Sequence, residues 1–147
     1  MGRYGLVAVV AVNYLRTKEA HTPKEAWTKA ISEIFEQGIW QQVKSCPKNA
    51  FFGLCEEGLI NGVEPGVYTK SRKNKGYALR AIEAIKNDPT IINDKKKLWE
   101  YASNGSGISH NHQMDVVLSL WSTKLLNVGV QLPAEEIALE YSNRNIK

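Results

Sequence analysis

Cysteine is scarce in this chain: its 147 residues include two, Cys46 and Cys55. Their separation of nine positions corresponds to about 900° of rotation on one helix, which places them on opposite faces and too far apart for a disulfide. A chain of this length can bury enough apolar surface to fold without covalent cross-links. The composition therefore excludes a disulfide-stapled scaffold, and we expect two reduced thiols in a cytoplasmic protein.

Long hydrophobic runs and a large excess of one charge are missing as well. Residues 5–12 are apolar but too few to span a bilayer, charged residues follow them closely, and no small-residue cleavage pattern is present. We therefore expect a buried first helix and no membrane partner. The net charge is +4, from 19 basic and 15 acidic residues in a mixed pattern, which permits an anionic partner without requiring one.

Familiar signatures of catalysis are also absent. The chain has no glycine-rich phosphate loop, no Ser-His-Asp elbow and no strong zinc-ligand spacing. It has no internal repeat at solenoid spacing, no low-complexity tract and no linker long enough to separate domains. We expect a single helical domain over residues 1–147 that binds a partner rather than catalyses a reaction and that needs no cofactor.

What the chain does contain is a succession of helix signals. A first helix is predicted over about residues 4–17, which are apolar on nearly all sides, although their valines also fit a buried strand. A second helix follows a T-x-x-E capping box formed by Thr22 and Glu25, with Pro23 in its first position and Gly38 as its stop. These local signals favour helices over strands.

The next two helices are predicted from a proline and a serine. Pro47 should open the third helix, with Ser45 or Cys46 as its cap. Ser71 should cap a fourth helix that runs over about residues 72–86 and ends at an Asn-Asp-Pro sequence. The connection between them contains a Pro-Gly turn and leaves room for one short extended piece.

The last third of the chain continues the helical pattern. Asp94 should cap a short fifth helix, and Asn111 should cap a sixth that runs from about His112 to Leu126. Pro133 should open a final helix. The whole pattern predicts an all-α fold: a compact, irregular bundle of six to seven short helices, with at most one short extended segment, from Val67 to Thr69.

A basic cluster opens the predicted fourth helix. Cations are unfavourable beside the partial positive charge of a helix N-terminus, so this cluster indicates that an anion arrives to offset them. The predicted anion-binding residues are Tyr68, Lys70, Ser71, Arg72, Lys73 and Lys75. The expected partner is a nucleic acid or a phosphorylated ligand. The connection of about ten residues between the third and fourth predicted helices is too long for a helix-turn-helix. A nucleic acid would therefore be held through its phosphates. The alternative is that Glu64 or another acid neutralises the cluster.

A second interpretation is a small enzyme. Cys46 lies at a predicted helix N-terminus, where the partial positive charge stabilises a thiolate, and is the candidate nucleophile. Alternatively, His110, His112 and Asp115 supply ligand types for a metal ion, although their spacing is weakly specific. Either group would form a site only if the fold brought it beside the basic helix start. The default interpretation is that Cys46 simply occupies a helix-cap position and that His112 and Asp115 lie on the solvated side of a helix start.

A third interpretation is an interaction module. Trp40 and Val43 follow Gly38 and lie outside any confidently predicted helix. Apolar side chains in that position are available to a protein partner or to a second copy of the chain in a homodimer.

Several sequence blocks resemble a family of small bacterial proteins known as a domain of unknown function. The blocks are residues 46–51, 54–59, 68–75, 77–80 and 112–117. The likeness covers most of the chain and implies a bacterial, cytoplasmic protein. It carries no activity, so it assigns no catalytic role to any residue.

Overall fold

The computed structural model describes residues 2–35 and 43–127, and helices form most of it. The α-helices in these ranges are α1 (Arg3–Thr17), α2 (Pro23–Ile34), α3 (Ser45–Glu56), α4 (Arg72–Asn87), α5 (Lys95–Ala102) and α6 (Gln113–Ser122). A 3₁₀ helix, Pro89–Asn93, joins α4 to α5. Within the same ranges the only β pairing is an isolated antiparallel bridge between Ile60 and Leu126. The all-α prediction is confirmed, and none of these helices is long and apolar enough to cross a membrane.

Three helices begin where their capping residues predict. The hydroxyl of Thr22 accepts from the Glu25 N–H, and that of Ser71 accepts from the Asn74 N–H. The carboxylate of Asp94 accepts from the third residue of α5, Lys97. Each contact satisfies one of the N–H groups that a helix start leaves without an intrahelical acceptor. Because its two residues are three positions apart, each of these helix starts is determined by local sequence.

The predicted start of α3 is wrong by two residues. The helix begins at Ser45, and Lys44 is the N-cap residue, without a side-chain capping hydrogen bond. Pro47 therefore lies in the third helical position rather than the first. A proline is tolerated there because N–H groups of the first turn have no intrahelical acceptor.

The predicted bounds of α6 are also wrong. His112 rather than Asn111 is its N-cap residue, and the helix ends at Ser122. The Asn111 N–H instead donates to the side chain of Gln113 at 2.7 Å. The helix cannot continue to Leu126 because that residue pairs with Ile60. The predicted stop at Gly38 and the predicted helix at Pro133 lie outside the described residues.

The core is a single cluster in which α6 occupies the centre. Helix α1 packs against α2 and α6, α4 packs against α3 and α5, and α6 also contacts α3 and α4. Val7 and Val12 of α1 and Val116 and Val117 of α6 are fully buried in this cluster, so the first helix is the buried helix that its composition predicts. Gly5 allows α1 and α6 to approach closely, since a Cβ at that position would lie 1.9 Å from the hydroxyl oxygen of Ser119. This close approach brings the starts of α1 and α6 together.

Candidate anion-binding cavity

The basic cluster at the start of α4 surrounds a carboxylate of the protein itself. Glu56, the last residue of α3, accepts hydrogen bonds from the backbone N–H groups of Tyr68 and Thr69 at 2.9 and 3.3 Å. Lys75 forms an ion pair with the same carboxylate, and the guanidinium of Arg72 lies 3.7 Å from it. The Glu56 side chain is 8% exposed. It is therefore a nearly buried anion held by two amides and two cations.

These contacts keep Glu56 charged. The hydrogen bond from Lys75 and those from the backbone of Tyr68 and Thr69 lower the pKa of the Glu56 carboxyl from 4.5 to about 2, although burial opposes its ionisation. The acid that offsets part of the cluster is thus Glu56. The backbone carbonyl of Glu64 instead accepts a hydrogen bond from the Tyr68 hydroxyl at 2.7 Å.

The six residues of the predicted anion site divide into two groups. Lys75 is 12% exposed and is paired with Glu56 and Glu57. Ser71 caps α4, and Tyr68 is half-buried in the preceding connection. Lys70, Arg72 and Lys73 are exposed. Only these last three cations present their charge at the surface.

The two histidines before α6 have separate roles. His110 is half-buried, and its Nε2 accepts a hydrogen bond from the Met114 N–H at 3.0 Å. Burial lowers the pKa of His110, which favours the neutral ring that this hydrogen bond needs. His112 instead places its Nδ1 2.8 Å from one oxygen of Asp115, and Lys95 Nζ lies 3.0 Å from the other oxygen. His110 is therefore a helix cap, while His112 belongs to a charged cluster.

The residues of the two enzyme alternatives lie at different helix starts, Cys46 at that of α3 and His112 and Asp115 at that of α6. In residues 2–35 and 43–127, no group of three or more His, Cys, Asp or Glu side chains is arranged to hold a metal ion. The rings of His110 and His112 contact different partners, the Met114 N–H and the Asp115 carboxylate. Cys46 is a free, half-buried thiol at the second position of α3. Val43, named for an interaction module, is half-buried against the core, and Trp40 lies outside the described residues.

The starts of α4 and α6 are joined by a polar network. The side chain of Gln113, which is 2% exposed, donates to Asn74 Oδ1 at 3.1 Å. Asn74 in turn donates to the Ser71 hydroxyl at 3.0 Å. The start of α6, which follows His110 and His112, therefore lies beside the basic start of α4, as the enzyme interpretation requires. Gln113 rather than a histidine makes the contact.

A cavity of about 410 Å³ opens where four helices begin. We call it the helix-start cavity. Its lining residues belong mainly to the first positions of α1, α3, α5 and α6, and they are Gly2, Arg3, Tyr4, Phe35, Val43, Lys44, Lys95, His112 and Asp115. The Tyr4 hydroxyl accepts from the Lys44 N–H at 2.9 Å and ties the start of α3 to that of α1. The His112 ring lies against Tyr4, with centroids 4.8 Å apart.

A sequence model of a family of unknown function, DUF6979, matches residues 1–127 of the chain. The protein belongs to this family. The resemblance to a domain of unknown function is thereby confirmed. No curated protein and no solved structure matches the chain. All the helices described above, and every residue that lines the helix-start cavity, fall within the range that matches DUF6979.

In this DUF6979 member, the helix-start cavity is rich in positive charge. Among the described residues that line it, Arg3, Lys44 and Lys95 contribute cations and Asp115 contributes a carboxylate. Burial opposes the ionisation of Asp115, but hydrogen bonds from Lys95 and His112 outweigh it and hold its pKa below the ordinary value. Asp115 therefore offsets Lys95, while Arg3 and Lys44 carry charge toward the same space.

The backbone adds to this positive potential. The N-cap residues of α1, α3 and α6 are Gly2, Lys44 and His112, and none of them forms a side-chain capping hydrogen bond. A helix start carries about half a unit of positive charge and several N–H groups without intrahelical acceptors. Three such starts converge on one cavity, although His110 already accepts from the Met114 N–H in the first turn of α6. Their remaining N–H groups, together with the cations, form a setting that favours an anion.

Sequence reasoning missed this cavity, although the sequence holds a signal for it. Arg3 directly precedes the apolar first helix, Lys44 precedes the Ser-Cys-Pro helix start, and Lys95 follows the Asp94 cap. Each is a cation at a helix start, which is the pattern that singled out the α4 cluster. Sequence alone does not reveal that these starts meet in space.

Proposed function

We propose that this protein binds a small anionic ligand, such as a phosphorylated or carboxylated metabolite, in the helix-start cavity. The observation that carries the proposal is the convergence of Arg3, Lys44 and Lys95 with four helix starts around one cavity of about 410 Å³. That volume lies within the usual range for small-molecule sites. An anion in this position would gain from both the side-chain charges and the helix dipoles.

The two side chains that would bind the anion most directly are Arg3 and Lys44. Lys95 is already paired with Asp115 at 3.0 Å, whereas Lys44 is exposed and its backbone N–H, not its ammonium group, is engaged by Tyr4. The guanidinium of Arg3 lies over the ring of Phe35, 4.6 Å from its centroid, which supports one face of its plane. The planar edge then suits a carboxylate or phosphate.

Phosphate titration monitored by amide NMR tests the proposal, with Lys44→Ala as the variant and Lys48→Ala as a control that removes the same charge from the same helix. Lys48 is not among the lining residues. We expect saturable shifts of amides at the starts of α1 and α6. Lys44→Ala should weaken binding by about fivefold, as expected for loss of one partly solvated charge contact. Equal effects of the two variants, or shifts without saturation, would rule this site out.

A second candidate is binding of a polyanion such as nucleic acid by the surface of α4. The observation that favours it is the exposure of Lys70, Arg72 and Lys73 within four consecutive residues, of which Arg72 is 77% exposed. The other predicted residues, Tyr68, Ser71 and Lys75, would act by fixing the α4 start through their contacts with Glu64, Asn74 and Glu56. Binding of this kind reads phosphates rather than sequence.

Heparin chromatography of two double variants tests this second candidate. Lys70→Ala/Lys73→Ala removes two charges from the α4 surface, and Lys96→Ala/Lys97→Ala removes two from the start of α5. The first variant should elute at clearly lower salt than the second, and its binding to single-stranded DNA should show a smaller salt dependence. Equal elution of both variants would contradict the candidate.

We further propose a bacterial and cytoplasmic setting. The support is the resemblance to small bacterial proteins and the presence of two free thiols, of which Cys55 is fully buried. Free cysteines are typical of reducing compartments. Fractionation of a cell that expresses the full chain would test the location.

A further inference from the structure

A second cavity, of about 470 Å³, adjoins the helix-start cavity. We call it the tryptophan cavity, because Trp121 of α6 forms part of its wall. The two cavities share three lining residues, Gly2, Lys95 and Asp115. The Lys95–Asp115 ion pair therefore lies at their boundary.

The two cavities differ in chemistry. Apart from the shared ion pair, the residues that line the tryptophan cavity are uncharged; they include the apolar side chains of Ile92, Leu118 and Trp121. Ile92 is 37% exposed, which leaves apolar surface for a ligand to cover. Ser119 and Ser122 add hydroxyl groups to the same wall. One end of the combined space thus suits an anion, and the other suits a flat organic group with polar edges.

We infer that the ligand is a phosphate ester of an aromatic or heterocyclic group, of the size of a nucleoside monophosphate. This inference rests on the proposed function, since the phosphate would occupy the helix-start cavity. The ring would lie in the tryptophan cavity against Trp121, where stacking and apolar burial favour a flat group. Each cavity lies within the size range of small-molecule sites, and the shared boundary connects them.

The test compares three probes on the full chain: inorganic phosphate, adenosine 5′-monophosphate and adenosine. Tryptophan fluorescence has a contribution from Trp121, one of four tryptophans, and calorimetry gives the affinities. We expect the nucleotide to bind about tenfold more tightly than phosphate, in line with the contribution of one stacked base. Trp121→Phe should abolish the fluorescence change that the nucleotide causes.

A blocking variant separates the two cavities. Ser122 is exposed at the end of α6, so Ser122→Phe should fill the tryptophan cavity without disturbing the core, and Ser32→Phe on the exposed face of α2 is its control. Ser122→Phe should reduce nucleotide affinity to that of phosphate and leave phosphate binding unchanged. Circular dichroism confirms that both variants are folded.

The outcomes distinguish the inference from the proposed function. Phosphate binding without a gain for the nucleotide, or a gain that Ser122→Phe leaves intact, would overturn the inference alone. Absence of binding by both phosphate and nucleotide would overturn the proposed function and the inference together. Adenosine that binds as tightly as the nucleotide would overturn the inference, and it would overturn the proposed function as well if inorganic phosphate does not bind.

Discussion

Glu56 offers the sharpest test of how this fold is held together. Its carboxylate joins the end of α3 to the start of α4 through two backbone N–H groups and Lys75. In Glu56→Gln the side-chain oxygen can still accept the hydrogen bonds from Tyr68 and Thr69, whereas the amide NH2 cannot accept from Lys75, so the substitution removes the charge and the Lys75 hydrogen bond. We expect the free energy of unfolding at neutral pH to fall by about 2 kcal/mol.

The magnitude follows from the pKa of Glu56. A shift of the carboxyl pKa from 4.5 to about 2 corresponds to roughly 3 kcal/mol at 1.36 kcal/mol per unit. Two effects reduce it. The Gln oxygen keeps the hydrogen bonds from Tyr68 and Thr69, which cause part of the shift, and Lys75 keeps a second partner in Glu57. The remaining loss of about 2 kcal/mol is within the reach of urea denaturation.

The effect should depend on pH. Because the pKa of Glu56 is lower in the folded state than in the unfolded state, its stabilisation is complete above pH 4.5 and is lost as the pH falls toward 2. Urea denaturation, followed by circular dichroism at several pH values, should show the difference between wild type and Glu56→Gln shrinking over that range. Any region that unfolds separately in acid would appear as a second transition.

Glu57→Gln is the matched control. Its side chain is 45% exposed and also contacts Lys75, so it should change the free energy of unfolding by less than about 1 kcal/mol. Equal losses for the two variants, or a loss in Glu56→Gln that stays constant down to pH 2.5, would refute the argument that a nearly buried charge holds the two helices together.

Three further predictions follow from packing, capping and burial. Gly5→Ala should lower the free energy of unfolding by about 1–3 kcal/mol because its methyl group would meet the Ser119 hydroxyl, and thermal denaturation without a change would contradict the close approach of α1 and α6. Ser71→Ala should cost about 1 kcal/mol in urea denaturation through the lost N-cap, and restoration by Asp at that position would separate capping from packing. The folded protein should react rapidly with a thiol reagent at the half-buried Cys46 only. Cys55 is fully buried, and burial raises the pKa of its thiol. Equally fast reaction of the two thiols would be inconsistent with that burial.

Capping contacts were the most predictable part of this molecule. Thr22, Ser71 and Asp94 each accept a hydrogen bond from a residue three positions ahead, so the signal and its effect lie within one helical turn. The start of α3 and the end of α6 were not predictable in the same way. Leu126 leaves the helical path to pair with Ile60, which is distant in sequence.

The same distinction applies to the basic cluster on α4. The sequence alone determined that cations gather at a helix start, and it determined the class of fold. It could not indicate which acid would approach them, because Glu56 precedes Lys75 by 19 residues and reaches it only when the connection folds back. An ion pair of this kind depends on distance in space, to which the chain order is a poor guide.

The helix-start cavity was decided by tertiary structure alone. Arg3, Lys44, Lys95 and His112 each lie at the start of a different helix, and nothing local relates one to another. The sequence by itself determined that these helices form and where most of them begin, because periodicity and capping act over a few residues. Only the packing of α1 against α6 brings their starts together, since burial of the apolar faces sets the helix positions and the charged ends follow.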